Sequence, residues 1–267
     1  MKKYFGKLGA LALLILALSS CSTPKDITYM QGLENGQTQT VPIERRFTAQ
    51  PDDQLSIVVT SRDPRMADMF NLAISQKVIG YSVGTGSISP ATAHYTVNPD
   101  GTIIFPVLGA INVQGKTRSE IAAEIQSKIQ AKDLLKDAVV TVDFLSAKVA
   151  VLGDVGNPGE YQVDRDNITI LQALAKAGDL NITGLRENVL VLRQENGKDV
   201  AYRVNLLNTQ ELMTSPAYYL QQNDVIYVEP NDTKKRQSTA NGNTVLTPTF
   251  WLSVTSVLTT IAVLIVK

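Results

Sequence analysis

One stretch, residues 95–130, constrains the fold of this chain most, because turn, strand and helix signals follow one another there without a gap. Asn98-Pro99-Asp100-Gly101 is a strong turn signal between two runs rich in β-branched residues. Thr117 and Glu120 have the spacing of a capping box, which satisfies free amides at the start of a helix. An apolar stripe at a spacing of four then predicts one buried helix face: Ile121, Ile125 and Ile129. The stretch therefore predicts two strands followed by a helix, the elements of a small α+β unit.

Further strand signals enclose this stretch in a first unit, 47–146. Pro51-Asp52-Asp53 is a turn that leads into an alternating strand at 55–59. Residues 138–145 return to a strand pattern after the helix. Between the first strand and the central stretch the pattern is irregular, and the sequence GYSVGTGSISP predicts an exposed loop at 80–90.

A second unit of the same class occupies 147–230. Two of its strands flank a tight turn at Asn157-Pro158-Gly159, and a short helix follows, with Gly178 placed to end it. Asn196-Gly197 suits the positive φ angles of a type I′ hairpin turn. The last strand is predicted at 225–229, so two small α+β units account for most of the chain.

The N-terminus has the pattern of an exported lipoprotein. Three lysines precede an apolar run that is shorter than the roughly 17–25 residues needed to span a bilayer. The run ends in Leu18-Ser19-Ser20-Cys21, which resembles the bacterial signal in which the cysteine is lipidated and becomes the new N-terminus. We therefore expect a signal peptide at 1–20, a covalent lipid on Cys21 with no other cofactor, and a polar tether at 21–46. An ordinary signal peptide beside a chance cysteine is the alternative.

Charge and cysteine content exclude several classes of function. Lys and Arg total 25 against 25 Asp and Glu, and loss of the leader removes three lysines, which leaves 22 basic residues. The mature chain is thus mildly acidic, and no nucleic-acid partner is expected. Because Cys21 is the only cysteine and its sulfur is expected to carry the lipid, the mature protein is expected to form no disulfide and to offer no thiol nucleophile.

Candidate catalytic groups are present, but each has a structural explanation. The single histidine, His94, has no partner pattern for a metal site or a catalytic triad. The segment GAINVQGKT has five residues where a phosphate-binding loop needs four, so Gly115 is better explained as a turn and Thr117 as a helix cap. Glycan hydrolysis needs two carboxylates, and the candidates lie mostly in turns, where Asp caps its own backbone: Asp52, Asp53, Asp100, Asp154, Glu160 and Asp224. The sequence therefore favours a protein that is not an enzyme.

The C-terminus reads as a polar linker, 231–247, followed by an apolar helix, 248–267. Its Leu, Ile, Val and Phe side chains contribute on the order of −3 to −6 kcal/mol of insertion free energy, which predicts a transmembrane helix. A hydroxyl stripe recurs every three or four residues and is predicted to face a water-filled pore: Thr249, Ser253, Ser256 and Thr260. Thr255 and Thr259 lie off this stripe. From the segment alone, a pore helix and a simple anchor are both compatible with the pattern.

Several motifs, taken in order, resemble the Wza-like polysaccharide export proteins of the Gram-negative outer membrane. In the first unit, PDDQLSIVV and VNPDGTIIFPVLGAINVQGKTRSE resemble the polysaccharide export domain, in which Gly usually stands at the position of Asp52. In the second, VAVLGDVGNPGEYQV, ITILQALAKAGDL, VLVLRQENG and LQQNDVIYVEP resemble a soluble-ligand-binding β-grasp (SLBB) domain. There Asn223 stands where many members have Gly. The resemblance covers nearly the whole mature chain.

The resemblance implies an α+β fold with an export domain at 47–146, a β-grasp-like SLBB domain at 147–230 and a C-terminal transmembrane helix at 248–267. It also implies an outer-membrane lipoprotein with its bulk in the periplasm, which forms a ring homo-oligomer and passes capsular or exopolysaccharide through the centre. The implied partner is an inner-membrane polysaccharide co-polymerase, often linked to a tyrosine kinase. Larger members carry two or more SLBB domains, whereas this chain has room for one. A membrane-tethered periplasmic glycan-binding or scaffold protein without a pore, and a glycan hydrolase, are the alternatives.

Overall fold

The computed structural model describes residues 27–36, 38, 46–71, 94–133, 135–195, 197–240 and 242–266 of the chain. The predicted signal peptide, the lipidation site Cys21 and the loop predicted at 80–90 lie outside these residues. Within them, an N-terminal unit (46–146) and a C-terminal unit (147–230) follow one another, and a helical extension comes after the second.

The N-terminal unit is built on a three-stranded antiparallel sheet with the order β2-β1-β5. Its strands are β1 Gln54–Thr60, β2 Tyr95–Thr96 and β5 Val139–Phe144. The alternation of apolar and polar residues along β1, the central strand, puts Leu55, Ile57 and Val59 into the core. The strand predicted at 55–59 is therefore confirmed, as is a strand within 138–145.

A short helix, a hairpin and a longer helix complete this unit. They are α1 Pro64–Asp68, the hairpin of β3 Thr102–Phe105 with β4 Gly109–Asn112, and α2 Arg118–Ala131. Both halves of the predicted capping box are present, because the Glu120 amide donates to the Thr117 hydroxyl and the Glu120 carboxylate accepts the Thr117 amide. The predicted apolar stripe of α2 is also confirmed by three fully buried side chains: Ile121, Ile125 and Ile129.

The C-terminal unit contains a five-stranded mixed sheet with the order β7-β6-β10-β8-β9. Its elements are β6 Lys148–Gly153, β7 Gly159–Gln162, α3 Ile170–Lys176, β8 Val189–Glu195, β9 Lys198–Val204, α4 Thr209–Thr214 and β10 Val225–Val228. β10 runs parallel to β6 and antiparallel to β8. Because β10 comes last in the sequence but lies at the centre of the sheet, the unit is complete only when its final segment is in place.

Turns and helix ends in the C-terminal unit follow local signals in its sequence. Asn157-Pro158-Gly159 joins β6 to β7, and Gly197 has a φ of 74° in the β8–β9 hairpin. α3 begins with a capping box formed by Thr169 and Gln172 and ends just before Gly178, whose φ is 76°. A left-handed glycine is the common way to end a helix, so the prediction for Gly178 is confirmed.

The two units share one hydrophobic core and are also joined by polar contacts. At the start of α2, the Arg118 Nε donates to Asp166 of the C-terminal unit at 2.6 Å. The Phe47 amide donates to the carbonyl oxygen of the same aspartate at 2.8 Å. A third contact forms where the Gln222 side-chain amide donates to the buried carboxylate of Asp53. These contacts hold the units in one relative orientation.

The extension consists of α5 Asp232–Arg236, a 3₁₀ turn at Thr244–Leu246 and α6 Pro248–Val266. Asn231 caps α5 by accepting the Lys234 amide on its side chain. The segment predicted as a polar linker at 231–247 is thus partly helical.

The prediction that the chain ends in a transmembrane helix is wrong. In the described part of the chain, none of the helices combines the length and the apolarity that crossing a membrane requires. α6 has 19 residues, but hydroxyl residues between Thr249 and Thr260 interrupt its apolar side chains. The polar residues therefore offset part of the favourable insertion free energy expected from the apolar residues. The described fold is mixed α/β, and the fold class that ended in a membrane-spanning helix is corrected accordingly.

Candidate functional site

Four hydroxyl groups along α6 donate hydrogen bonds within their own helix. Ser253, Thr255, Thr259 and Thr260 each donate to the carbonyl oxygen four residues earlier, at 2.7–3.0 Å. Such bonds satisfy a hydroxyl without any external partner, so a row of Ser and Thr is no evidence for a water-filled lumen. The prediction that this stripe faces a pore depended on a transmembrane helix, which the structure does not support. The stripe consists of Thr249, Ser253, Ser256 and Thr260.

The carboxylates considered for glycan hydrolysis are built into the fold. Asp100 accepts the amide and the hydroxyl of Thr102, and these hydrogen bonds lower the pKa of its carboxyl group. Asp52 occupies a left-handed position, with a φ of 70°, in the turn before β1. The other four have side-chain partners in the surrounding structure: Ser146 and Gln222 for Asp53, Asn181 and Thr183 for Asp154, Lys148 for Glu160, and Arg193 for Asp224. Structural roles therefore account for this set.

The structure also places two further candidates from the sequence, His94 and the GAINVQGKT segment. His94 lies exposed just before β2, and within the described ranges no three His, Cys, Asp or Glu side chains are grouped so that they could hold a metal ion. Gly115 has a φ of 73° in the turn after β4, and Thr117 caps α2. The interpretation of GAINVQGKT as a turn and a helix cap is therefore confirmed.

Residues 27–31, here named the strap, belong to the segment predicted as a polar tether and are bound to the C-terminal unit. The amides of Met30 and Gln31 donate to the carbonyl oxygens of Leu206 and Leu207 at 3.0 and 2.6 Å. The strap starts only six residues after Cys21. The chain is therefore held to the C-terminal unit shortly after the predicted lipidation site.

Tyr29 fixes the strap through its side chain. Its hydroxyl donates to Asp179 at 2.5 Å, and the guanidinium carbon of Arg186 lies 5.4 Å from its ring centroid, within cation–π range. Arg186 is buried and donates to the Gly184 carbonyl oxygen at 3.0 Å, so its position is fixed by the backbone. Burial, together with the hydrogen bond to Asp179, raises the pKa of Tyr29 to about 12, so the phenol remains a donor at neutral pH.

Sequence reasoning missed the strap because its contacts are remote along the chain. The Tyr29–Asp179 hydrogen bond joins residues 150 positions apart. A local signal was the presence of Ile27, Tyr29 and Met30 within a polar stretch.

Two cavities adjoin the strap. The first, of 360 Å³, is lined by Ile27, Ile182, Arg186, Asn231 and Thr233 among others. The second, of 340 Å³, is lined by Tyr29, Leu171, Leu174, Ala175, Gly178 and Asp179. The strap thus contributes a wall to each cavity, and the second one combines an aromatic ring, an apolar helix face and a carboxylate.

Both units match known family models. Residues 42–145 match the model described as polysaccharide biosynthesis/export protein, and residues 147–228 match the model of the SLBB domain. The chain therefore belongs to the polysaccharide export protein family, the class that its motifs resemble.

Curated relatives support the same family. The chain is 31% identical over 188 residues to the EPS I polysaccharide export outer membrane protein EpsA of Ralstonia solanacearum, covering 68% of this chain and 48% of the relative. It is 32% identical over 159 residues to the protein of the same name from Ralstonia nicotianae, covering 58% and 40%. The exopolysaccharide production protein ExoF of Rhizobium meliloti is 32% identical over 123 residues, covering 43% and 29%. The chain spans about half the length of these relatives, or less.

Proposed function

We propose that this chain is a subunit of an exopolysaccharide export apparatus at the outer membrane. One observation carries the proposal: the similarity to EpsA of Ralstonia solanacearum runs over 188 residues, which is more than either unit contains. The relationship therefore includes parts of both units and not a single shared module. EpsA is named a polysaccharide export outer membrane protein, and the same role is assigned here.

The proposed working form is a ring homo-oligomer that encloses a hydrated path for the polysaccharide. Each copy is a body of fixed shape, because its two units share a core and are tied by Arg118 and Gln222. Identical bodies with one repeated head-to-tail contact close into a ring when the rotation between neighbours allows it. Transport is passive in this scheme, and the chain is not an enzyme.

The proposed anchor is a covalent lipid on Cys21, with most of the chain in the periplasm. The strap supports this arrangement, because it would connect the lipid to the C-terminal unit over a short length of chain. The proposed partner at the other membrane is a polysaccharide co-polymerase, alone or linked to a tyrosine kinase, which delivers the growing polymer.

Deletion of the gene tests the function directly. We expect the deletion strain to retain exopolysaccharide in the cell while the medium loses it, and we expect the wild-type gene to restore secretion. Undiminished polysaccharide in the medium of the deletion strain would contradict the proposal.

Imaging the protein purified in detergent tests the ring. Closed rings support an enclosed path, whereas a population of monomers only would favour the alternative, a membrane-tethered glycan-binding or scaffold lipoprotein without a pore. Metabolic labelling with palmitate tests the anchor, and we expect the label to be lost in Cys21→Ala.

A further inference from the structure

The 340 Å³ cavity beside Tyr29 has the dimensions and the lining of a small ligand site. Ligand cavities in proteins begin at about 300 Å³, so it has room for one compact group. Leu171, Leu174 and Ala175 of α3 form its apolar side, and Gly178 and Asp179 follow at the end of the helix. The cavity is therefore apolar on one side and carries a negative charge on its rim.

The aromatic wall of this cavity is held rigidly. Backbone hydrogen bonds of the strap place Tyr29, and its hydroxyl is bonded to Asp179. The guanidinium of Arg186 covers the ring from one direction. Arg186 lines the first cavity, and Tyr29 lines the second.

The lining matches the chemistry of a sugar ring. One face of a pyranose presents C–H groups, which are attracted to the negative face of an aromatic ring and pack well against aliphatic side chains. Its hydroxyl groups are strong donors to a carboxylate. The Asp179 Oδ1 accepts the Tyr29 hydroxyl and the Leu180 amide, at 2.5 and 2.7 Å. No donor in the described part of the chain is bonded to its Oδ2, which leaves that oxygen available to a ligand.

We propose that this cavity binds one neutral sugar residue of the exported polysaccharide, stacked on Tyr29 and hydrogen-bonded to Asp179. The proposal rests on the proposed function and adds to it a contact site and a ligand class. A uronate or another acidic sugar is disfavoured, because its carboxylate would lie beside that of Asp179. The site therefore selects neutral sugars.

The test measures binding of defined tetrasaccharides to the full chain, purified in a zwitterionic detergent that has no sugar headgroup. The neutral probes are tetramers of glucose, mannose and galactose, and the acidic probe is tetragalacturonate. Calorimetry should show binding of at least one neutral tetramer, with tetragalacturonate at least tenfold weaker. Failure of all three neutral probes to bind would overturn the proposal.

A blocking variant locates the binding. Ala175 is exposed on α3 and lines the cavity, so Ala175→Phe fills the space without removing any hydrogen bond of the strap. Its matched control is Ala131→Phe, at the exposed end of α2 in the N-terminal unit. We expect the neutral tetramer to bind at least tenfold more weakly to Ala175→Phe and as well as wild type to Ala131→Phe. Equal binding to both variants would place the ligand elsewhere and overturn the proposal.

A charge variant tests the selectivity. Asp179 has a φ of 67°, a conformation that Asn also tolerates, so Asp179→Asn keeps the backbone and an acceptor for Tyr29. We expect its preference for the neutral over the acidic tetramer to fall at least fivefold, whereas an unchanged preference would contradict the assigned role of Asp179.

Comparing the secretion assay with the binding assay distinguishes a failure of this inference from a failure of the proposed function. If the deletion strain loses secretion and wild type restores it, but the cavity binds no neutral sugar, the export function stands and the inference fails. If the cavity binds as expected and the deletion strain still secretes normally, the export function fails and the chain is a glycan-binding protein.

Discussion

Two turns of the same construction lead into the central strands of the two units. In each, a left-handed residue, Asp52 with φ 70° or Asn223 with φ 65°, precedes a buried aspartate. Each aspartate, Asp53 or Asp224, accepts the amide of the residue three positions earlier at 2.8 Å. The strands that follow, β1 and β10, lie inside their sheets. The same turn structure therefore precedes the central strand in both units.

The donors to the two carboxylates differ. Asp224 is paired with Arg193, whose Nε and Nη2 donate at 2.7–3.2 Å, and both side chains are 1% exposed. The donors to Asp53 among the described side chains are neutral, namely the Ser146 hydroxyl at 2.9 Å and the Gln222 amide. Arg193 lies within the same unit as its aspartate, whereas Gln222 belongs to the other turn.

The two aspartates therefore have different structural roles. The buried ion pair lies entirely within the C-terminal unit, where removing either partner would leave an uncompensated charge in the core. The Asp53 network instead joins one unit to the other. Asp53 also sets the direction of the Gln222 amide, since the reversed amide would turn its oxygen towards the carboxylate. The Gln222 Oε1 that results is buried and has no hydrogen-bond partner among the described residues. Hydrogen bonding is thus less complete at the junction between the units, where Gln222 Oε1 has no partner among the described residues.

The largest effect is expected for Arg193→Met. It should lower the free energy of unfolding by about 3–5 kcal/mol, because the Asp224 charge is left buried without a cation. Urea unfolding followed by circular dichroism measures the loss. In Arg193→Met with Asp224→Asn, part of the stability should return, since the charge is gone and Asn still accepts the Gln221 amide. A single-variant loss below about 1 kcal/mol, the range of an exposed ion pair, would contradict the role assigned to the buried pair.

A smaller effect is expected for Asp53→Asn, whose hydrogen bonds to neutral donors lose their charge-assisted strength. The loss should be about 1.5–3 kcal/mol. A double-mutant cycle with Gln222→Ala should show that much of it is shared between the two residues, because they contact each other directly. Glu160→Gln, in an exposed pair with Lys148, is the control and should change stability by less than about 1 kcal/mol. If the stability losses of the Asp53 and Gln222 variants were strictly additive, the two side chains would not be coupled across the junction of the units.

A stabilising effect is expected at another left-handed position, in the β3–β4 turn. Val107 has a φ of 64° although it is β-branched, and it is 51% exposed. Val107→Gly relieves the backbone strain and removes little packing, so the free energy of unfolding should rise by about 1 kcal/mol. Thermal unfolding checks the sign. Val139→Gly, at an exposed position in β5, should instead destabilise the chain, because glycine weakens a strand.

The smallest effects are expected for Asp52→Gly and Asn223→Gly. Asp and Asn already tolerate the left-handed conformation, and glycine adds entropy to the unfolded chain, so each change should stay within about 0.5 kcal/mol. The two variants should respond alike in urea unfolding. A marked difference between their changes in unfolding free energy would show that the two turns are not equivalent.

The local parts of this fold could be read from the sequence because their causes are neighbours in the chain. The capping box of Thr117 and Glu120 spans three residues, and Gly178 acts on the helix just before it. The isoleucine stripe of α2 depends only on helical periodicity. The positions where Asp52 and Asn223 replace the usual glycine were also visible, and both have positive φ angles.

The sequence by itself therefore determined most strands, the two helices that begin with capping boxes, several turns, and the family to which the chain belongs. It did not determine the short helices α1, α4 and α5. Only the tertiary structure decided which polar groups meet. Arg193 and Asp224 are 31 residues apart, Tyr29 and Asp179 are 150 apart, and Gln222 and Asp53 are 169 apart. No local pattern selects such partners, because their geometry exists only after the sheets have formed and the two units have docked. The cavity beside Tyr29 arises in the same way, where a segment near the start of the chain lies against a helix of the C-terminal unit.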